Sequence, residues 1–179
     1  LYKLISYNRR VIVAGTANQK GFDCTPHFNT RYRWTLIFIG LLFNTVMLFP
    51  IHAYIMQKSF IHEISIVQLQ ISHSLFVASN FVIAAMLLTG HTRVEYLGQI
   101  NMLATITILL CIPVIFLNAW FQVPSIVNNI LLTAILLFIV KEYKKRMQFA
   151  GIFPMNRRVL TANFCCLAAF IAYILWVQV

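Results

Sequence analysis

Acidic side chains are almost missing. Asp23, Glu63, Glu95 and Glu142 are the only four in 179 residues, against fourteen Lys and Arg. Charged residues of both signs make up 10% of the chain and apolar ones 60%. A soluble domain carries about 25% charged residues, because its surface has to be wetted. This chain lacks the charge to clothe a water-facing globule, which excludes the soluble classes. Cysteine is also scarce. Cys24, Cys111, Cys165 and Cys166 include no pair at CxxC spacing, so neither a disulfide framework nor a thiolate zinc site is indicated. No HExxH or paired His-x-x-x-His spacing occurs either. No Asp, Glu, Lys or Arg lies deep in an apolar run, which argues against a pump or coupled transporter.

Long apolar runs are what the chain has instead. A helix crossing a hydrocarbon core of about 30 Å needs roughly 20 apolar residues. Five stretches read as such spans: Trp34–Met56, Ile66–Leu88, Ile100–Phe121, Val123–Val140 and Val159–Val179. A lipid-facing backbone must satisfy its own hydrogen bonds, so each run is predicted to be helical. The expected fold is therefore an all-α, polytopic membrane bundle of about five transmembrane helices over residues 34–179. An amphipathic, basic segment over residues 1–33 precedes it. Pro113 falls inside the third run and is expected to kink it. The "QVPS" link before the fourth run forces a tight hairpin, with Pro124 suited to a first helical turn.

The net charge of +10 raises the question of nucleic acid, but its distribution answers no. Six of the fourteen basic residues lie in residues 1–33 and six in residues 141–158, rather than along one continuous face. Basic segments beside spans are retained in the cytoplasm. The chain is thus expected in the cytoplasmic (inner) membrane of a bacterium, N-terminus inside and C-terminus outside. Tyr32, Trp34, Tyr54, Trp120, Phe121 and Trp176 sit at run ends, as interfacial aromatic belts do.

The first residues, "LYKLISYNRRVIVA", place Leu1, Leu4, Ile5, Val11 and Ile12 on one helical face, with Lys3, Asn8, Arg9 and Arg10 largely elsewhere. Such a helix is expected to lie on the anionic leaflet. No cleavage site follows, so it is not read as a signal peptide. Tyr2, Ile5, Ser6, Asn8 and Arg9, followed by Cys24 and Pro26, resemble the closing segment of the DCC family of predicted thiol-disulfide oxidoreductases. That family tends to end in a Tyr-x-x-Ile-(Ala/Ser)-x-Asn-Arg helix and a later Cys-x-x-Pro or similar turn; here the turn is Cys24-Thr25-Pro26, one residue shorter. The resemblance covers residues 2–26. It implies a thioredoxin-like domain upstream of Leu1, which agrees with a chain that opens on Leu rather than Met and is expected to be part of a longer one. The Asp-Cys-Cys type motif that gives the family its chemistry is not in these residues. Arg31, Arg33 and His27 stand near Cys24 and could lower its thiol pKa, yet no second cysteine stands at redox spacing. The stretch is read as hinge and anchor, and no catalytic residue is assigned.

Among the histidines, His52 and His73 belong to antiparallel neighbours and are expected at similar depth. They are the candidates for a haem or metal site; without paired spacing, no cofactor is predicted. Seven asparagines and several Ser and Thr within the runs suit hydrogen bonds between helices. Ala162, Cys166, Ala169 and Ala172 form a small-residue stripe expected to pack against a neighbour. Arg31, Arg33, Lys141, Lys144, Lys145, Arg146, Arg157 and Arg158 are expected to meet anionic lipid headgroups or a protein partner. The function expected from all this is a membrane anchor or accessory subunit of a larger assembly. The alternatives are the membrane half of a thiol-redox enzyme and a haem- or quinone-binding electron-transfer subunit.

Overall fold

A computed structural model of the chain describes residues 2–12, 28–58, 65–121 and 123–176. Among these residues there are six α-helices and no strand: α1 Tyr2–Ile12, α2 Thr30–Lys58, α3 Ile66–Leu87, α4 Gly90–Phe121, α5 Ser125–Phe149 and α6 Arg157–Trp176. Four of them, α2 to α5, are long and apolar enough to cross a membrane. The protein is thus all-α, and its four apolar helices suit a multi-pass membrane protein.

Several helices outrun the apolar stretches that announced them, α4 and α5 the most. The third span was expected to open at Ile100, but α4 begins ten residues earlier at Gly90 and takes in Arg93, Glu95 and Gln99. The fourth was expected to close at Val140, but α5 runs on through the basic "KEYKKRMQF" to Phe149. Lys, Glu, Gln and Arg are good helix formers, so hydropathy marks where a span leaves the hydrocarbon and not where its helix stops. Pro113 is accommodated inside α4, as is Pro50 inside α2.

The ends have identifiable causes. Ser65 and Gln68 close a reciprocal capping box at the start of α3 (Gln68 N–H to Ser65 Oγ 3.2 Å, Ser65 N–H to Gln68 Oε1 2.8 Å), which satisfies two orphan donors. Gly90 turns α3 into α4 at φ +53°, a conformation that favours glycine. α5 closes in a Schellman motif: Gly151 at φ +71°, Ile152 N–H to Met147 O 2.9 Å and Gly151 N–H to Gln148 O 3.0 Å. Ile152 and Met147 are both buried there, supplying the apolar contact that accompanies the motif.

α2 and α4 form the central pair. α5 packs on α4, α6 on α3, and α1 lies against α2 and α4. The buried core, around Ile37, Ile83, Tyr96, Met147, Ile152 and Val159, gathers at the end of the bundle holding α1, the α3–α4 turn and the α5–α6 turn. Towards the other end the helices present Leu109, Phe116, Ile130, Leu136 and Phe138 outward, as lipid-facing surfaces do. Lipid tails are as apolar as these side chains, so polar bonds and close packing must hold the spans together there.

Candidate functional site

α1, the amphipathic segment expected at the leaflet, packs against α2 and α4. It is docked. Asn8 and Val11 are fully buried, while Tyr2 and Ile5 stay exposed. Asn8 Nδ2 donates to Leu4 O at 2.8 Å and across to Tyr32 O at 2.9 Å. The Tyr7 ring stacks on Tyr32 with centroids 4.9 Å apart. The docking face is therefore Leu4, Tyr7, Asn8 and Val11, with a polar residue at its centre. Both bonds the Asn8 amide nitrogen donates go to backbone oxygens, while its Oδ1 is buried without a protein partner.

The C-terminal end of α1 meets a buried arginine. Arg146, in the last turn of α5, is 1% exposed. Its Nη1 donates to Val11 O at 2.6 Å and to Gln99 Oε1 at 2.9 Å, and its Nη2 to Ile12 O at 3.4 Å. Glu142, one turn back on α5, accepts an ion pair from Nη2 at 3.0 Å. A guanidinium on the last carbonyls of a helix satisfies orphan acceptors and opposes the negative end of the helix dipole. Gln99 continues the chain by donating to Glu95 Oε1 at 2.9 Å. Glu95 in turn pairs with Arg33 of α2, Nη2 to Oε2 3.1 Å. Arg33 is itself 2% exposed and passes over Gly98, where an added Cβ would stand 3.0 Å from its Cδ. Four elements are thus tied by one run of side chains, Arg33–Glu95–Gln99–Arg146–Glu142. Two cations and two anions balance, so the network is neutral, which is the condition under which charge can be buried.

Two of the eight basic residues expected to meet lipid or a partner therefore belong inside. Arg33 and Arg146 are buried in ion pairs, because helix ends at this level pack against α1 and α4 instead of facing headgroups. Arg31, Lys141, Lys144, Arg157 and Arg158 are exposed and Lys145 is half-buried.

Further along the bundle two more polar clusters join the helices. The Tyr96 hydroxyl of α4 lies 2.7 Å from Oδ1 of both Asn80 of α3 and Asn163 of α6. Asn163 Nδ2 donates to the Tyr143 hydroxyl of α5 at 2.9 Å, so one cluster reaches four helices. Between α2 and α4, Asn101 Nδ2 donates to Ile37 O at 3.1 Å, Asn44 Nδ2 to Asn101 Oδ1 at 3.1 Å, and Thr105 to Asn44 Oδ1 at 3.0 Å. Gly40 makes room: a Cβ there would collide with Asn101 Nδ2.

His73 lines a cavity of about 60 Å³ with Asn44, Asn80 and Asn101 among apolar walls. That is room for a few water molecules, and His73 Nε2 is buried there without a protein hydrogen bond. His52 stands eight residues beyond Asn44 on α2, about 12 Å along the helix axis. The two histidines expected at similar depth therefore occupy different levels, since the α2–α3 hairpin sets His73 opposite Asn44. Among the described residues, no group of three or more His, Cys, Asp or Glu gathers at one place. In the small-residue stripe, Ala162 and Cys166 pack against the core, while Ala169 and Ala172 are exposed. Cys24 and Pro26 lie outside the described residues, whereas the other residues of the DCC resemblance lie on α1.

Sequence reasoning missed Glu95, Gln99 and Glu142. One signal was available. Glu95/Gln99 and Glu142/Arg146 are i, i+4 pairs, which share a helix face, and they take up two of the chain's four acids. Comparison with known protein families, with curated proteins and with solved structures finds no match to this chain. The docked α1 and the neutral charge network that holds it are what remain to be explained.

Proposed function

We propose that the protein is a multi-pass membrane anchor whose bundle holds its N-terminal helix in a fixed seat. The observation that carries this reading is the buried Arg146, bound at once to α4, to its own helix and to the C-terminal carbonyls of α1. An amphipathic helix that only needed to touch lipid would not need a buried guanidinium to receive it. Seating α1 in this way fixes the position of whatever the N-terminal segment carries or binds, as an accessory subunit of a larger assembly must.

In this reading α6 is a fifth span, its 20 residues reaching about 30 Å. The end bearing α1 and the α5–α6 turn faces the cytoplasm, because it carries nearly all the basic residues. The compartment is the bacterial inner membrane, with the C-terminus outside, and the partners are anionic headgroups and protein subunits. A spin label at Lys3→Cys, in a background lacking the native cysteines, tests the seat. It should report restricted motion in the wild-type bundle and free motion once Arg146 is replaced by Met. Equal mobility in both would remove the basis for the anchor.

The resemblance of α1 to the DCC family supports a second reading, the membrane half of a thiol-disulfide oxidoreductase with its catalytic domain upstream. The specific support is that Asn8, one of the resembling residues, is also the buried docking residue. A Cys24→Ser variant that seats α1 normally but loses thiol exchange in the full-length protein would favour this enzyme over the plain anchor. A Soret band in purified protein would favour the electron-transfer alternative.

A further inference from the structure

A cavity of about 520 Å³ opens at the basic end of the bundle, between the C-terminal turn of α3 and the link from α5 to α6. Met86, Leu87, Pro154 and Met155 supply its apolar lining, and Asn156, Arg157 and Arg158 its polar lining. The cavity is built into the fold. Asn156 Nδ2 donates to Leu87 O at 3.2 Å and its N–H to Ile152 O at 2.6 Å, so the link is fastened to α3 and to the buried Ile152. Its two halves have opposite chemistry. Met86 is 77% and Met155 87% exposed, an apolar pair that water wets poorly. Beside them stand two guanidiniums that no carboxylate among the described residues can neutralise, because Glu95 is paired to Arg33 and Glu142 to Arg146. Lys144, near the C-terminal end of α5, is held over the Phe153 ring of the link at 5.7 Å and adds to the same field.

We infer that this cavity is a discrete binding site for one anionic phospholipid, with its phosphate on Arg157 and Arg158 and the start of an acyl chain along Met86 and Met155. A phosphate diester matches the charge and fork geometry of arginine. The methionines suit a flexible hydrocarbon, and basic pockets beside membrane helices at the cytoplasmic face recognise such headgroups. A free phosphate ion would use the arginines alone and leave the apolar wall in water. The site deepens the anchor reading, since it would hold to the leaflet the α5–α6 turn, which lies at the same end of the bundle as α1.

Native mass spectrometry of the full chain in detergent tests this, with phosphatidylglycerol as the probe, phosphatidylcholine as the neutral control and inorganic phosphate as competitor. The wild type should retain one phosphatidylglycerol at least tenfold better than phosphatidylcholine. R157Q/R158Q should abolish that preference. K3Q/R9Q, which removes the same charge from α1, should not. Met155→Glu, at an exposed position that cannot disturb the core, should abolish it as well by placing a carboxylate in the cavity. An equal loss in K3Q/R9Q would reduce the effect to net charge and overturn the site, as would an unchanged preference in M155E. Displacement of the lipid by millimolar inorganic phosphate would overturn the lipid assignment in favour of a phosphate site. R146M, with α1 released, should still retain phosphatidylglycerol; its loss there would make the preference a consequence of the α1 seat and overturn the discrete site.

Discussion

Replacing Arg146 with Met should release α1 while leaving the spans assembled. Methionine is close to arginine in reach but makes none of its bonds. The variant loses two hydrogen bonds to α1 carbonyls, one to Gln99 and the ion pair to Glu142. A hydrogen bond from a charged donor contributes about 1.5–3 kcal/mol, and a buried acceptor left unmet costs about 1–3 kcal/mol. Breaking a buried pair by removing one partner costs about 3–5 kcal/mol. Glu142 keeps 15% of its side-chain surface in contact with solvent, so it can turn outward and recover part of that. About 3 kcal/mol is then left as the loss felt by α1, or roughly a hundredfold increase in its open population at 1.4 kcal/mol per decade. Hydrogen exchange measured by mass spectrometry in detergent reads this directly, because local opening sets the exchange of α1 amides. The α1 amides should exchange about a hundredfold faster in R146M, with α2–α5 unchanged. R146K should fall between, since one ammonium cannot span Gln99 and both α1 carbonyls with the geometry of the guanidinium fork. Less than a threefold change for α1, or an equal change throughout the bundle, would refute the argument that Arg146 acts as a local fastening.

Gly40→Ala should lower the midpoint of thermal unfolding in detergent by about 5 °C, from overpacking of about 1–3 kcal/mol as its Cβ meets Asn101; G40A/N101A should recover part of the loss. Tyr96→Phe should destabilise by up to about 1.7 kcal/mol, the upper range for a hydrogen bond between membrane helices, and a double-mutant cycle with Asn163→Ala should give a coupling above about 0.5 kcal/mol. In a cysteine-free background, impermeant maleimide should reach Lys3→Cys and Gln148→Cys from the same face of the membrane; labelling from opposite faces would rule out the topology. Ala169→Leu should leave the isolated bundle's thermal stability unchanged, because that position is exposed; any effect should appear as altered co-purification of partner subunits.

What the sequence determined by itself was everything that depends on a run of neighbours. Scarce charge and long apolar stretches point to long helices suited to a membrane, since each helix satisfies its own backbone hydrogen bonds. The basic flanks and the small residues of the last helix are visible as local patterns, but not which of them turn inward: Arg33, Arg146, Ala162 and Cys166 pack inside, whereas Ala169 and Ala172 are exposed. Which polar residues meet was not legible, because those meetings join distant parts of the chain: Arg33 to Glu95 across 62 positions, and Arg146 to Val11 across 135. In the "KEYKKRMQF" run only the i, i+4 spacing to Glu142 sets Arg146 apart from the lysines beside it, and it is the packing of α5 that turns this side chain inward towards Gln99. Hydropathy likewise ended the third and fourth spans at the edge of the apolar run, whereas tertiary packing carries both helices further. It supplies partners for Glu95, Gln99 and Arg146 that water would otherwise have to provide. The amphipathic pattern of α1 predicted a face, but Asn8 sits on the buried side because Tyr32 O, contributed by another helix, is there to receive it.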